Sequence, residues 1–302
     1  MSIDINFTKR FGDNFLKNVS LSNYSWFNLG GKAEYFYKAK NQNQLINFLT
    51  EAKKMNLKTT ILGAGSNTLF RDNGVKGAVI KLGQHFSYVK LVEKDIIEVG
   101  AATLDRKVAN YAKDNNLGNL EFLSCIPGSI GGAIIMNSGC FENEISKVLV
   151  SLQAIDKNKL KEIEIKKEDI KFFYRGTNLS DDLIIISAKL KGCISDKNII
   201  EQKQLNFKEI KKKSQPSQVK TCGSTFKNSE NKKAWELIKD SGCSNLSVGD
   251  AKISNKHCNF FLNAGNAKTL DIENLINKVK KEVKSKTGIN LELEIKIIGN
   301  EK

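Results

Sequence analysis

Three kinds of side chain in this sequence could manage charge in a reaction, and each stands in a distinctive setting. Arg175 follows an aromatic run in "FFYRGT", where a guanidinium can clamp a carboxylate through two parallel hydrogen bonds. Taken alone, the arginine is more simply read as lying on the surface with its stem along Phe173. Ser224 sits in "CGSTF", beside a glycine and with Lys227 and Asn228 close behind. That context lacks the Gly-x-Ser-x-Gly elbow and the neighbouring base of a serine nucleophile, so Ser224 reads as a hydrogen-bond or proton donor. In "NLELEIKIIG" the residues alternate at strand period. Glu292 and Glu294 therefore share one face, and Leu291, Leu293 and Ile295 the other. Such a pair ordinarily faces water, whereas a member turned into a cleft would be an acid/base group.

Two glycine-rich stretches could hold a ligand for these groups to act on. "LGAGSN" follows a strand-like run directly, and Gly63, Ala64, Gly65, Ser66 and Asn67 offer close backbone approach, successive N–H groups and two side-chain donors. An ordinary strand-to-loop turn would look similar. "IPGSIGGA" sets Pro127 before Gly128, Ser129, Gly131, Gly132 and Ala133; alone it could be a tight crossing in a core. Neither stretch is Gly-x-Gly-x-x-Gly, and "GGKA" lacks the remaining parts of a Walker loop. Two such loops in one alternating region favour a large phosphate-bearing cofactor over coincidence.

The elements that must position these loops are legible in the periodicity. "NQNQLINFLTEAKKMN" has Leu45, Phe48, Leu49, Ala52 and Met55 at helical spacing, with Asn41 as its N-cap. The strands "TTIL", "GAVIKL", "YVKLV" and "IIEVGA" follow. Thr103 is expected to cap a second helix through Leu104, Val108, Tyr111 and Ala112 that ends near Gly118. Then come the strands "VLVSLQAI" and "LIIISAKLKG", and a helix from about Asp196 to Lys213 that marks a boundary before Pro216. Beyond it lie the helix "KKAWELIKDSG", the strand pair "AKIS" and "FFLN", the helix "LDIENLINKVKKEVKSKTG" and the closing strand "LELEIKIIG".

Composition narrows the class. The chain has 302 residues, of which 40% are hydrophobic and 27% charged, which is the make-up of a globular protein of ordinary domains. The net charge of +15 is compatible with nucleic acid or an anionic small molecule. Its lysines are spread evenly, however, and the one dense run, "KEIKKKSQ", has no interleaved aromatics or nucleic-acid motif. The six cysteines form no Cys-x-x-Cys, and His85 and His257 offer no ligand spacing, so no metal is expected. Scattered thiols and the absence of a signal sequence point to the cytoplasm, and no apolar run approaches the roughly 20 residues that span a bilayer. Cys125 and Cys222, though beside ligand loops, are expected to pack rather than react.

Taken in order, "LGAGSN", "EFLSCIPGSIGGAIIMNSG", "YR", "QP…GSTFKN", "KHCNFFLNAGNA" and "LELEIKIIG" resemble the UDP-N-acetylenolpyruvoylglucosamine reductase (MurB) family, from about Leu29 to the C-terminus. The resemblance implies an α+β fold. Residues 1–86 and 87–200 would be the two subdomains of an FAD-binding unit of the PCMH or vanillyl-alcohol-oxidase type, and residues 201–302 a C-terminal α+β substrate domain. It implies reduction of UDP-N-acetylglucosamine enolpyruvate to UDP-N-acetylmuramate in peptidoglycan synthesis, with non-covalent FAD and with NADPH as reductant. Gly63 to Asn67 and Pro127 to Ala133 would hold FAD, while Arg175, Ser224 and Glu294 would be the catalytic trio. Tyr174, Asn228 and His257 would contact substrate. The short span between Arg175 and Pro216 matches the subgroup without an extra tyrosine-bearing loop. A monomer without nucleic-acid or membrane partners is expected. Thr177, Ser229 and Asp250 depart from the family pattern. A flavin oxidase of the same superfamily would often carry a tethering histidine in the first loop, and "LGAGSN" has none.

Overall fold

Asn41 shows how locally some elements are set. Its side chain accepts the backbone N–H of Gln44 at 3.0 Å, and the helix it starts buries Leu45, Phe48, Leu49 and Ala52 along one stripe. The computed structural model describes residues 3–301. Among these the helices are α1 (Ile3–Phe11), α2 (Gln42–Lys54), α3 (Asp105–Asp114), α4 (Ile130–Ile135), α5 (Ile145–Val148), α6 (Lys197–Ser214), α7 (Ala234–Asp240) and α8 (Thr269–Thr287). With the strands between them the architecture is α+β. The chain divides into two compact units, each assembled from several stretches. Residues up to 16, 36–64 and 78–211 form the first, and residues 17–35, 65–77 and those from 212 onward form the second.

The first unit is built on a five-stranded antiparallel sheet ordered Lys161–Lys166, Leu149–Asp156, Leu183–Lys191, Ile96–Gly100, Val89–Glu93. Alternation along its strands, with a register shift after Gln153↔Ser187 that brings Ile185 as well as Leu190 inward, turns Ile97, Val99, Leu152, Ala154, Ile185 and Leu190 to one face. There they pack with Val108 and Ala112 of α3, Ile130 and Ile134 of α4, and Ile145 and Val148 of α5. In the same unit Thr59–Leu62 runs parallel to the strand ending at Leu82, pairing Leu62 with Lys81.

The second unit packs α8 against a three-stranded antiparallel sheet, Ser247–Val248, Ala251–Ile253 and Phe261–Asn263, with α7 against α8. Phe226, Phe261, Leu237, Ile276, Val279 and Ile295 form its core. Lys296–Ile298 pairs in parallel with Thr68–Phe70, which brings the end of the chain beside a segment more than two hundred residues earlier.

Three local expectations are corrected. Thr103 does not cap α3: its Oγ1 donates to the Tyr88 carbonyl at 3.0 Å, and the residue before the helix is Leu104. That helix stops at Asp114, because Asn116 takes the left-handed conformation (φ 59°) expected of Gly118, which instead pairs with Cys193. The closing strand is only Lys296–Ile298, so Glu292 and Glu294 lie ahead of it in irregular backbone, and the equal-face reading does not apply. Glu292 is exposed and Glu294 half-buried.

Candidate active site

The first unit carries both ends of a glycine-lined surface. After Pro127 the chain passes antiparallel to residues 101–105: Asp105 N–H donates to the Gly128 carbonyl, Ile130 N–H to Thr103 and Gly131 N–H to Ala101. It then enters α4, so Gly131 and Gly132 lie in a short helix rather than an open loop. Ser129 is buried, and its Oγ lies 3.1 Å from where a Cβ on Gly63 would stand. Lys81 crosses from the neighbouring strand to donate to the Gly63 carbonyl at 2.8 Å. Burial, and then the Lys38 charge, hold its ammonium below the ordinary lysine range.

The glycines fall into two groups by what a side chain would meet at each. At Gly65 a Cβ would stand 1.8 Å from the Tyr24 carbonyl, at Gly128 2.6 Å from Asp105 Oδ2, and at Gly131 3.2 Å from the Ala101 Cβ. Those three are bare because the protein itself fills the space. Gly63 and Gly132 are exposed, take no left-handed conformation, and would meet nothing closer than the flexible Ser129 hydroxyl. Their missing side chains open a surface that the fold does not use, which suits a large flat or phosphate-bearing cofactor. A cavity of about 470 Å³ lies nearby, lined by Asn41, Gln42, His85, Tyr88, Glu98 and Lys189. Its Phe86 and Tyr88 carbonyls accept from Ala102 N–H and Thr103 Oγ1, so its wall continues into the segment that supports Gly128 to Gly131. Tyr88 donates to Glu98 at 2.6 Å, and burial together with that carboxylate pushes the phenol up to about 12.

Arg175 occupies the same unit, at the tip of a short hairpin that pairs Phe172 with Thr177. Its backbone is left-handed (φ 58°), a conformation rare outside glycine, asparagine and aspartate. Asn137, buried, holds the hairpin by donating to the Phe173 carbonyl at 3.1 Å and accepting Ser146 N–H. The guanidinium donates to the Gly139 carbonyl at 3.0 Å and stacks over the Tyr174 ring at 4.9 Å. Tyr174 is exposed, so ring and guanidinium form one accessible surface.

In the second unit Ser224 and Glu294 are neighbours through backbone. Ser224 bridges to Phe260, Thr225 N–H donates to the Asn259 carbonyl, and Glu294 N–H donates to the Thr225 carbonyl at 2.9 Å. Asn67 fixes the other side of Glu294, donating from Nδ2 to its carbonyl at 3.0 Å and accepting Lys296 N–H on its own. Asn67 thus spends a donor on the carboxylate segment. Half-buried Ser224 makes no side-chain hydrogen bond among the described residues, which leaves its hydroxyl for a ligand. The residue that sequence reasoning missed is Asn259. It is 2% exposed, and it donates to the Phe226 carbonyl at 2.8 Å and accepts Phe226 N–H at 2.9 Å. The only signal was its place inside the quoted "KHCNFF". Glu292 pairs with Lys227 at 3.6 Å and is 77% exposed, so it takes the solvated role.

His257 packs edge-on against Phe260, and its Nδ1 accepts Asn259 N–H at 3.2 Å; burial holds the imidazole below its usual range, in the neutral form. Asn228 accepts Ala234 N–H at 3.0 Å and so fixes the entry to α7. Ser229, where the family pattern has proline, makes that turn by hydrogen bonds with Lys232 instead. Asp250 accepts Asn266 N–H. Cys222 is buried against the Thr68 carbonyl, and burial pushes its thiol up to about 11, the state of a packing residue. Among the described residues no group of three or more His, Cys, Asp or Glu is placed to hold a metal, and no helix is long and apolar enough to cross a membrane.

Residues 33–159 match the family model of an FAD binding domain, and residues 215–298 that of the UDP-N-acetylenolpyruvoylglucosamine reductase C-terminal domain. A UDP-N-acetylenolpyruvoylglucosamine reductase of Pelagibacter ubique is 48% identical over 93% of both chains. One of Orientia tsutsugamushi is 44% identical over 99% of both. The crystal structure of the Thermus caldophilus enzyme superposes with a TM-score of 0.82 at 30% identity, covering 93% of this chain and 98% of that one. With an FAD-binding domain, the matching C-terminal domain and full-length relatives at this identity, the chain belongs to the UDP-N-acetylenolpyruvoylglucosamine reductase family of oxidoreductases.

Proposed function

We propose that the chain reduces UDP-N-acetylglucosamine enolpyruvate to UDP-N-acetylmuramate, taking its electrons from NADPH through non-covalently held FAD. The observation that carries this reading is the backbone ladder fixing Ser224 beside the Glu294 segment. The open positions Gly63 and Gly132 support FAD held by Gly63 to Asn67 and Pro127 to Ala133. Leu62 to Asn67 has no histidine to form a covalent tether. When bound, FAD supplies a hydride to the terminal carbon of the enolpyruvyl double bond.

The residues of the chain manage the charge that follows. Arg175 pairs with the carboxylate next to the reacting double bond and stabilises the negative charge that builds there. Ser224 holds a proton at Oγ and gives it to the carbon bearing the ether oxygen; a hydroxyl is a weak acid, but a carbanion-like carbon is a strong base. Glu294 assists at the carboxylate. Tyr174, Asn228 and His257 orient the UDP-sugar, His257 as a neutral hydrogen-bonding group. The balance closes with one hydride and one proton added across the double bond.

The test uses colour under anaerobic conditions. The purified protein is expected to be yellow, to bleach with NADPH, and to recover on adding the enolpyruvyl UDP-sugar. Ser224→Ala should still bleach but form product at least about a hundredfold more slowly, as for loss of a general acid. A protein that cannot be reconstituted with FAD removes the reading. Wild-type turnover in Ser224→Ala removes the serine from its role.

A further inference from the structure

Asp105 is the least explained ionisable group of the first unit. It is fully buried, and neither carboxylate oxygen has a hydrogen-bond partner among the described residues. Its carboxyl lies against Gly128, with Oδ2 2.6 Å from the point a side chain there would occupy. The same residue donates its backbone N–H to the Gly128 carbonyl, beginning the ladder that continues through Thr103–Ile130 and Ala101–Gly131. A carboxyl group therefore forms the floor of the turn at Gly128.

We propose that Asp105 is a positioning residue, an un-ionised acid whose shape sets the Gly128 turn in the form that holds FAD and whose ionisation releases it. The proposal rests on the reading that Pro127 to Ala133 holds FAD. An unpaired buried carboxylate costs several kcal/mol, so the group keeps its proton while the turn is closed. Burial alone drives this: it raises the Asp105 carboxyl well above the usual aspartate range, and no neighbouring charge contributes. Arg106 and Lys107, the charged residues that follow it on α3, are exposed, and Gly128, against which it lies, is uncharged, as is Ile126 beside that glycine. The sign is set by proton binding. The open state ionises near the unperturbed value and the closed state only at higher pH, so closure is favoured at low pH and weakens as pH rises. FAD that binds only the closed turn follows the same course.

The experiment measures FAD affinity by flavin fluorescence from about pH 6 to about pH 10 in the wild type, Asp105→Asn and Gly132→Val. Once Asp105 titrates, wild-type affinity should fall by about tenfold per pH unit. Asp105→Asn, which keeps the shape and removes the titration, should bind as the wild type does at low pH and stay flat. Parallel pH curves in the two proteins overturn the proposal, as does loss of FAD at low pH from folded Asp105→Asn. Should Asp105→Asn not fold, carbon-13 NMR of the wild-type carboxyl decides: titration in the ordinary aspartate range overturns the proposal, and a coincident loss of proton and FAD upholds it. Gly132→Val isolates the underlying reading, since a Cβ there meets nothing in the protein closer than the Ser129 hydroxyl at 3.9 Å. FAD retained at full affinity in that variant means that this turn does not hold FAD. FAD lost there, with a flat wild-type pH curve, means that only the role of Asp105 fails.

Discussion

The amide of Asn259 satisfies both backbone groups of one residue, Phe226, two positions after Ser224. Its own carbonyl takes Thr225 N–H, so a single buried residue holds the Thr225–Phe226 segment at three points. Asn259→Ala leaves the Phe226 N–H and carbonyl buried without partners, at a cost of about 2–4 kcal/mol. Urea unfolding should read that loss, and kcat should fall at least about tenfold if Ser224, the proposed proton donor, loses its position. Full kcat in a stable Asn259→Ala would show that the clamp does not orient Ser224. The residues proposed to carry the chemistry, Arg175, Ser224 and Glu294, stand in recognisable local wording. Their clamps do not. Asn259 and Asn137 act on partners 33 and 36 residues away, and nothing in a local window distinguishes them from other asparagines. The glycines divide in the same way: that Gly65 yields to Tyr24 and Gly128 to Asp105 is visible only once distant residues are brought beside them.

At the scale of elements, α8 depends on a residue outside it. Asp72 accepts the N–H groups of Thr269 and Leu270, each at 3.1 Å, while Thr269 Oγ1 donates to the Phe70 carbonyl at 2.7 Å. A carboxylate placed there satisfies two donors of the first turn and meets the positive end of the helix. Arg71, next to it, makes a bidentate pair with Glu273 on the same helix. Asp72→Ala should therefore destabilise the protein by about 1–2 kcal/mol, with Asp72→Asn recovering most of it. Thermal unfolding of the two variants checks this, and equal midpoints would remove the cap. The helices and long strands follow from periodicity, since the apolar stripes of α2 and α8 announce them in the sequence. Ends are harder: Asn116 pre-empted Gly118 as the left-handed stop of α3, and Thr103 turned to Tyr88 instead of capping. Short pairings such as Lys296–Ile298 with Thr68–Phe70 are tertiary decisions, made by strands too brief to announce themselves.

For the whole molecule the net charge of +15 bears on the handling of anions. Lysines that gather an anionic UDP-sugar and NADPH toward the site should make KM rise severalfold between about 50 and 200 mM salt, with kcat little changed. A salt-independent KM would mark them as solvated faces only. Long-range order has a different consequence, through the parallel pairing of residues 296–298 with 68–70. The second unit draws on residues 17–35 and 65–77, yet its core includes Ile295 and its ladder includes Glu294. On the ribosome those early stretches emerge long before their partners exist, and must wait with apolar residues such as Phe27 and Leu69 uncovered. The first unit, whose sheet closes by Lys191, can fold while translation continues. Closing the second is then a late, non-local and slow event. The carboxylate segment is among the last parts to arrive, so an arrested nascent chain would carry a folded first unit and a second unit still waiting for chaperone protection.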